Sequence, residues 1–392
     1  MSKDIGNSLA GILVARTFSV RGITMTYALD RRGAAWKKYT EDEVFRVLFG
    51  TSVRVVGAES FHDLPAGADF LVVTLSASGP PNLEQEVCRS GIPAYGLEEV
   101  LGGRHNPGWE LSEPKPIALL RRVFTVLPTS EDGPAVTVVG PPQLERYRGV
   151  DVAALGRQAR EKLGISLDTP LVYYIGHPEP ENPHALSRVG EALSRLPQKD
   201  VVLVVSRHSR DKEIPDNGPA HRHTLRHIQK RVGIRVIENS LGHKDLPEDH
   251  PEAIPREFCP ENFATYQELV CACRSCGVIV TGFATDGTVV APHLGVPSVL
   301  YLDCENYLFG GLLRREKCCD RLPLPLIPQV ATVEALVHKL NYCLTDYGGR
   351  RERYCATLRE KFPFPERDPA DKIADLVLQD LGEANAAASI SS

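Results

Sequence analysis

The chain has no uninterrupted apolar stretch of about 18 residues, so no transmembrane helix is expected. Its N-terminus, Met1 to Gly11, carries one Lys and one Asp and lacks the basic and apolar segments of a signal peptide. With 45 basic and 50 acidic residues its formal charge is −5, which gives a nucleic-acid partner no support. The ten Cys are irregularly spaced, which favours reduced thiols over a disulfide framework. Together these absences predict a cytoplasmic protein without a membrane span.

Several motifs of known enzyme classes are also missing. There is no Gly-x-Gly-x2-Gly fingerprint, P-loop, Gly-x-Ser-x-Gly elbow or kinase signature, so the corresponding enzymes are excluded. Cys271, Cys273 and Cys276 lie on a predicted helix without sharing one face, which favours buried apolar thiols over a metal site. His223 and His227 have a metal-ligand spacing but no acidic general base between them. We therefore predict no metal ion.

The chain alternates apolar strands with amphipathic helices along both halves. At 392 residues it exceeds the ~250–300 residues that one core supports, so two domains are expected. The alternation predicts an α/β fold of two Rossmann-like domains, each with a doubly wound parallel sheet. We place them at 1–145 and 146–365, with a closing helix and flexible tail at 366–392. The first predicted element is a helix at Asn7 to Val20, so an opening strand is either absent or lies upstream.

Ligands of open parallel sheets bind beyond the carboxyl ends of the strands. Three groups of residues directly follow strands in the second half. They are Gly176, His177 and Glu179; Arg207, His208 and Arg210; and Thr281, Gly282, Thr285, Asp286 and Gly287. The sequence therefore predicts a binding edge formed by these three groups.

The third group combines a Gly-rich turn with a predicted helix start. Thr285 is a candidate N-cap, and free N–H groups at a helix start favour a phosphate. The alternative is that Thr285 only caps the helix and the glycines only form a turn. Arg207 and Arg210 suit diphosphate recognition through paired N–H donors. His177 and His208 are candidate proton carriers or phosphate donors, with a capping or packing role as the alternative for His177.

The run "VIVTGFATDGTVVAPHLGVPSVLY" resembles the donor-site segment of glycosyltransferases with the two-domain B-type (GT-B) fold, and of the related non-hydrolysing UDP-N-acetylglucosamine 2-epimerases. The segments "PLVYYIGHPEPENPHAL" and "VVLVVSRHSRDK" resemble earlier parts of the same domain, in the same order. The resemblance implies a nucleotide diphosphate sugar held in a central cleft as co-substrate, an acceptor not yet identified, and no further cofactor. It implies catalytic roles for His208, His177 and Asp286, and donor binding by Gly176, Arg207, Arg210, Thr281, Gly282, Thr285 and Gly287.

One departure from the family pattern keeps three functions open. The 2-epimerases carry acidic residues just after the Gly-rich turn, where this chain has Thr288, Val289 and Val290. The leading hypothesis is a glycosyltransferase-like enzyme in which electrostatic stabilisation of the departing diphosphate dominates catalysis. The alternatives are a sugar-nucleotide epimerase or hydrolase on the same fold, and a non-catalytic binding protein. The sequence leaves open whether the chain forms a homo-oligomer.

Overall fold

The computed structural model of the chain describes residues 5–75, 82–98, 116–126, 136–176, 182–207, 217–281, 286–301, 328–345 and 347–391. These residues divide into two compact units. The first contains 5–148 together with 365–391, and the second contains 149–364, each with the gaps just given. The end of the chain therefore returns to the first unit.

The first unit alternates helices and strands in chain order. Its elements are α1 (Ile5–Val20), β1 (Met25–Asp30), α2 (Ala34–Glu41), α3 (Glu43–Phe49), β2 (Val53–Ala58), β3 (Leu71–Thr74), α4 (Asn82–Cys88), β4 (Ala94–Glu98), β5 (Arg122–Thr125) and β6 (Val136–Val138). Strands β1 and β2 form a parallel pair, and β3 to β6 form a parallel four-stranded sheet in the order β3-β4-β5-β6.

The helix at the end of the chain, α12 (Pro369–Ser391), packs against α1 in the first unit. Apolar side chains of both helices, including Val14, Phe18 and Ile373, form one buried cluster with the β4–β5 part of the sheet. Arg21 adds ion pairs to Asp371 at 2.6 Å and Asp375 at 2.5 Å. The sequence predicts that this helix ends at Leu381. It continues to Ser391 because the segment after Gly382 is rich in Ala, the strongest helix former.

The second unit contains the longer sheet. Its elements are α5 (Val152–Lys162), β7 (Leu171–Ile175), α6 (Asn182–Ser194), β8 (Val202–Ser206), α7 (Asn217–His227), β9 (Arg235–Glu238), α8 (Tyr266–Cys276), β10 (Gly277–Thr281), α9 (Asp286–Val289), β11 (Ser298–Tyr301), β12 (Gln329–Val330), α10 (Val333–Leu344) and α11 (Arg350–Lys361). Strands β7, β10 and β11 are buried at every position, as expected of strands covered on both faces. This sheet is the core of the unit.

The six strands β7 to β12 are all parallel and lie in the order β12-β11-β10-β7-β8-β9. Read from β9, this is the 3-2-1-4-5-6 order of a doubly wound dinucleotide-binding sheet. The predicted α/β class and doubly wound architecture are therefore confirmed for this unit. No helix among the described residues is both long and apolar enough to span a membrane.

One predicted helix is much shorter than expected. The sequence predicts a helix from Thr285 to Leu294, whereas α9 has four residues and is followed by a separate 3-10 turn, Ala291–Leu294. Pro292 lies within that turn, and a proline interrupts the hydrogen-bond pattern of an α-helix. Gly295 then ends the turn at φ 68°, a left-handed conformation that favours glycine.

Candidate functional site

The strand order fixes where a ligand edge can form. Strands β7 and β10 are neighbours in the sheet, but the chain leaves them toward opposite sides, to β8 and to β11. A crevice opens at the carboxyl ends of two such strands. Ile175 and Thr281, the last residues of β7 and β10, are paired in register. The chain order of the strands reverses between β7 and β10, and we call this position the switch point. Two of the three predicted groups, those that begin at Gly176 and Thr281, therefore start side by side at the switch point.

The described members of these groups are held in the sheet. The N–H of Gly176 donates to the carbonyl of Ser206 at 2.8 Å, so Gly176 extends the β7–β8 ladder by one residue. Thr281 has no exposed surface, and Gly287 in α9 is buried. His177, His208, Arg210, Gly282 and Thr285 lie outside the described residues, as does Glu179. Asp286 begins α9. Roles in ligand binding remain predictions for all of these residues.

The shortness of α9 reduces the contribution that a helix dipole can make to phosphate binding at this edge. A helix macrodipole sums over aligned peptide units, and a four-residue helix aligns few of them. A diphosphate at this edge would therefore depend more on individual N–H groups and basic side chains than on a helix dipole.

Arg207 has partners that the sequence did not suggest. Its side chain is 1% exposed and lies between two buried carboxylates. Nε donates to Glu238 Oε1 at 2.7 Å, and Nη1 donates to Glu252 Oε2 at 2.7 Å. Nη2 donates to the backbone carbonyl of Glu252 at 2.8 Å. In this arrangement the guanidinium supports the end of β8, and a contact with the diphosphate stays a prediction from sequence alone.

The carboxylate of Glu238 has no exposed side-chain surface. Desolvation by burial would raise its pKa, but the neighbouring His221 and Arg207 outweigh burial and lower the pKa to about 2. His221 Nε2 lies 3.6 Å from Glu238 Oε1, and both ring nitrogens of His221 are buried without a hydrogen-bond partner among the described residues. The result is a buried cluster of four ionisable side chains, Arg207, His221, Glu238 and Glu252, which we call the β8–β9 cluster.

Uncharged side chains link the same strand ends. The hydroxyl of Tyr173 donates to Ser206 Oγ at 3.2 Å, and Ser206 Oγ donates to the carbonyl of Asn239 at 2.9 Å. Asn239 Nδ2 donates to the carbonyl of Ala264 at 2.8 Å, and its Oδ1 accepts from the N–H of Ala264 at 2.9 Å. These bonds tie β7, β8 and β9 to the segment that leads into α8.

Sequence reasoning missed Glu238, Asn239, Ser240 and Glu252. The first three carry the same signal as the predicted groups, because they directly follow the apolar residues of a strand, Val236 and Ile237. Glu252 lies outside any helix or strand, and the sequence holds no periodic pattern that would place it beside Arg207.

The strand β10 is anchored from its amino end. Arg351, which is 5% exposed, donates to the carbonyls of Cys273, Arg274, Ser275, Gly277 and Cys343. Arg160, which is 1% exposed, donates to the carbonyls of Ala272 and Cys276 at 2.9 and 3.2 Å. Two cations thus satisfy the carbonyls at the carboxyl end of α8, where the helix dipole is negative. We call these hydrogen bonds from Arg160 and Arg351 the clamp on α8. They fix the point at which α8 ends and β10 begins.

The cysteines on α8 are part of this packed region. Cys271 and Cys273 are buried, and burial raises the pKa of both thiols to about 12. Within the described ranges, no three His, Cys, Asp or Glu side chains are grouped so that they could hold a metal ion. Cys271 and Cys273 therefore sit where small apolar core side chains would.

Between 94% and 96% of the chain is similar in structure to three solved enzymes. A UDP-GlcNAc 2-epimerase from Neisseria meningitidis, solved with UDP-GlcNAc bound, aligns with a TM-score of 0.51 and 14% identity over 96% of this chain and 98% of that chain. A glycosyltransferase from Rickettsia africae aligns with a TM-score of 0.54 and 11% identity over 96% and 95%. The sucrose-phosphate synthase from Thermosynechococcus elongatus gives 0.52 and 15% over 94% and 92%.

The chain shares the α/β fold of these enzymes. The similarity in fold that the sequence predicted is therefore confirmed, and at 11–15% identity it concerns the fold alone. A comparison with protein-family models finds no matching family. A comparison with curated protein sequences finds no match either. The reaction must therefore be argued from the residues at the edge of the sheet.

Proposed function

We propose that the chain is a glycosyltransferase-like enzyme whose co-substrate is a nucleotide diphosphate sugar, bound at the carboxyl edge of the β7–β12 sheet. The observation that carries this proposal is the switch point, where β7 and β10 end side by side at Ile175 and Thr281. The similarity in fold to sugar-nucleotide enzymes supports the same ligand class. Small residues follow β7 and β10 in the sequence, namely Gly176, Gly282 and Gly287, and glycine allows a ligand to approach the backbone.

In this proposal the residues after each strand divide the work. Gly282 and Thr285 contact the diphosphate through backbone and hydroxyl groups, the buried Gly176, Thr281 and Gly287 form the edge behind them, and Arg210 supplies paired N–H donors. His177, His208 and Asp286 are the candidates for proton transfer and for contacts with the sugar or ribose. The leaving diphosphate is stabilised by fixed positive groups, so the mechanism requires no metal ion. Arg207 supports the edge through the β8–β9 cluster.

The first test is nucleotide binding by the intact chain. Thermal unfolding is measured with UDP, GDP, CDP and dTDP, each at about 100 times its Kd, where binding stabilises a protein by about 2.7 kcal/mol. For a unit of this size that corresponds to a rise in Tm of roughly 5–10 °C. One of the four is expected to produce this rise. If none of the four nucleotides shifts the Tm, both the transferase hypothesis and the epimerase or hydrolase hypothesis are excluded.

A variant then tests the predicted edge. Asp286→Ala is expected to weaken binding of the active nucleotide while the Tm of the free protein stays near that of the wild type. Asp380→Asn is the matched control, because it removes a carboxylate that pairs with Arg122 in the first unit. Unchanged affinity in Asp286→Ala would remove this residue from the site.

Product analysis separates the enzymatic alternatives. Incubation with a nucleotide sugar and no acceptor is expected to leave the sugar unchanged if the chain is a transferase. Release or interconversion of the sugar would instead favour a hydrolase or epimerase. The buried apolar side chains of Val289 and Val290, where 2-epimerases carry acidic residues, argue for the first outcome. A chain that binds nucleotide diphosphate but converts no nucleotide sugar, even with acceptors, would be the non-catalytic binding protein.

A further inference from the structure

The turn that follows α7 carries unpaired positive charge. Residues 217–232 contain no Asp or Glu, although the chain as a whole has more acidic than basic residues, and their Arg and Lys are Arg222, Arg226, Lys230 and Arg231. The last two lie in a π-helical turn, Ile228–Val232, which Gly233 ends in the left-handed conformation at φ 74°. Lys230 and Arg231 are exposed, and neither forms an ion pair with a described residue. We call these two residues the basic turn.

A cavity of about 590 Å³ opens beside the basic turn. It is formed by the carboxyl end of α5, by β9 and by residues 257–262. Gln229 and Gly233 also line it, and these two residues stand directly before and after the basic turn in the sequence. The basic turn and the cavity therefore belong to one continuous surface of the second unit.

The cavity has an excess of carboxylates. Three of them line it, those of Glu161, Glu257 and Glu261. Two cations also line it but have partners. Lys162 pairs with Glu268 at 2.5 Å, and Arg235 donates to two backbone carbonyls just after α5 at 2.7 and 3.0 Å. Glu161 and Glu261 are exposed and form no ion pair within the described part of the chain, so their carboxylates are available to a cation from outside.

One ion pair already joins α7 to the wall of the cavity. Arg226 Nε donates to Glu257 Oε1 at 2.8 Å, and these side chains are 52% and 44% exposed. A basic side chain and a carboxylate of this surface can therefore meet while both remain partly in water.

The position of the two charged features decides which occupant fits them. A polyamine or a basic peptide would engage only the cavity, and an acidic partner would engage only the basic turn. A second copy of the chain engages both, because a twofold rotation about an axis between them places the basic turn of each copy opposite the cavity of the other. The surface is therefore complementary in charge to itself.

We propose that two copies of the chain associate through this surface, with the basic turn of each copy facing Glu161 and Glu261 of the other. Charged contacts at an interface contribute more to specificity and to the rate of association than to affinity. The dimer is therefore expected to be reversible and sensitive to salt. It does not depend on the proposed function, and it stands even if the chain binds no nucleotide.

Sedimentation velocity on the full chain, over a range of protein concentrations, tests the association. The wild type should shift from monomer to dimer as its concentration rises. Raising the salt from about 0.1 M to 1 M shortens the screening length from about 10 Å to 3 Å and should weaken the dimer at least about tenfold. A chain that stays monomeric at every concentration in low salt would overturn the inference.

Charge reversal identifies the surface. Lys230→Glu with Arg231→Glu reverses the basic turn, and Glu161→Lys with Glu261→Lys reverses the cavity. Each double variant should be monomeric by itself, because like charges then face each other. An equimolar mixture of the two should restore the dimer, because the reversed turn of one meets the reversed cavity of the other while the second contact keeps its natural charges. Lys37→Glu, which reverses an exposed lysine of α2, is the control and should dimerise as the wild type does.

The remaining outcomes also decide the matter. All four reversed positions are exposed, and if one double variant does not fold, Lys230→Gln with Arg231→Gln replaces it and should weaken the dimer. A dimer that survives both reversals, or a mixture that stays monomeric, would overturn the inference. A monomeric wild type whose Tm rises with spermine, with the rise lost when Glu161 and Glu261 are reversed, would assign the cavity to a polyamine instead.

Discussion

Arg207→Met should remove the cation that pairs with both carboxylates of the β8–β9 cluster. The substitution keeps an apolar side chain of similar length but removes the guanidinium from between Glu238 and Glu252, whose side chains are 0% and 5% exposed. Removing one partner of a buried ion pair typically costs about 3–5 kcal/mol, because the remaining charge is left in a poorly solvated place. We expect a loss of this size in the unfolding free energy of the second unit at pH 7.

The loss should depend on pH in a definite direction. In the wild type, His221 and Arg207 outweigh burial and lower the pKa of Glu238 to about 2 from its ordinary 4.5. A lowered folded-state pKa contributes stability above pH 4.5, and this contribution disappears as the pH falls toward 2. At 1.36 kcal/mol per pH unit the contribution is about 3 kcal/mol. Without Arg207, one of the two groups that lower the pKa of Glu238 is missing, so this pKa rises. The carboxylate of the variant then takes up a proton at a higher pH than that of the wild type, and the stability difference between the two proteins narrows as the pH falls.

Urea unfolding at pH 7, 5.5 and 4.5 measures both effects. Far-ultraviolet circular dichroism follows both units, whereas the second unit contains no tryptophan, because Trp36 and Trp109, the two tryptophans of the chain, both precede residue 149. The circular dichroism transition of Arg207→Met should move to lower urea, and its tryptophan transition should stay in place. Two results would refute the view that Arg207 neutralises two buried carboxylates. One is a loss in unfolding free energy below about 1 kcal/mol, and the other is a stability difference between variant and wild type that does not narrow at pH 4.5.

Much of the fold follows from the sequence because its strands are fully buried. Strands such as Leu171–Ile175 and Gly277–Thr281 consist mainly of apolar residues, and helical segments separate them. That pattern restricts the second half to a parallel sheet with helices on both faces. The strand order, and with it the position of the switch point, depends on pairings between distant residues such as Ile175 and Thr281. The alternation of strands and helices predicted a doubly wound sheet, but it did not specify this order of strands.

The site was only partly predictable. The rule that ligands bind after strand ends identified Gly176 and Thr281, which the structure brings together. The same rule identified Arg207, but sequence proximity could not reveal that Glu238 and Glu252, 31 and 45 positions away, would surround its guanidinium. Such pairs depend on tertiary packing and leave no local pattern. The shortened α9 is a further example, because Pro292 was read as part of a helix that it interrupts.

Three further predictions test the packing that supports the site. Gly156→Ala places a Cβ 2.4 Å from the carbonyl oxygen of Cys271 and should cost about 1–3 kcal/mol in urea unfolding, whereas Gly382→Ala, with open space around it, should cost nothing. Arg351→Lys cannot reach all five carbonyls that Arg351 satisfies and should cost about 2–3 kcal/mol, and an unchanged midpoint would show that the clamp on α8 is dispensable. Thiol reactivity tests the burial of the cysteines directly. Burial raises the pKa of Cys343 to about 12, while Cys259 is exposed, and a thiol reacts as its thiolate. At pH 8 a disulfide reagent should therefore label one rapidly reacting thiol fewer in native Cys259→Ser than in the native wild type. In native Cys343→Ser the number of rapidly reacting thiols should equal that of the wild type. Rapid labelling of Cys343 in the native state would mean that the core beneath α10 opens more readily than its packing implies.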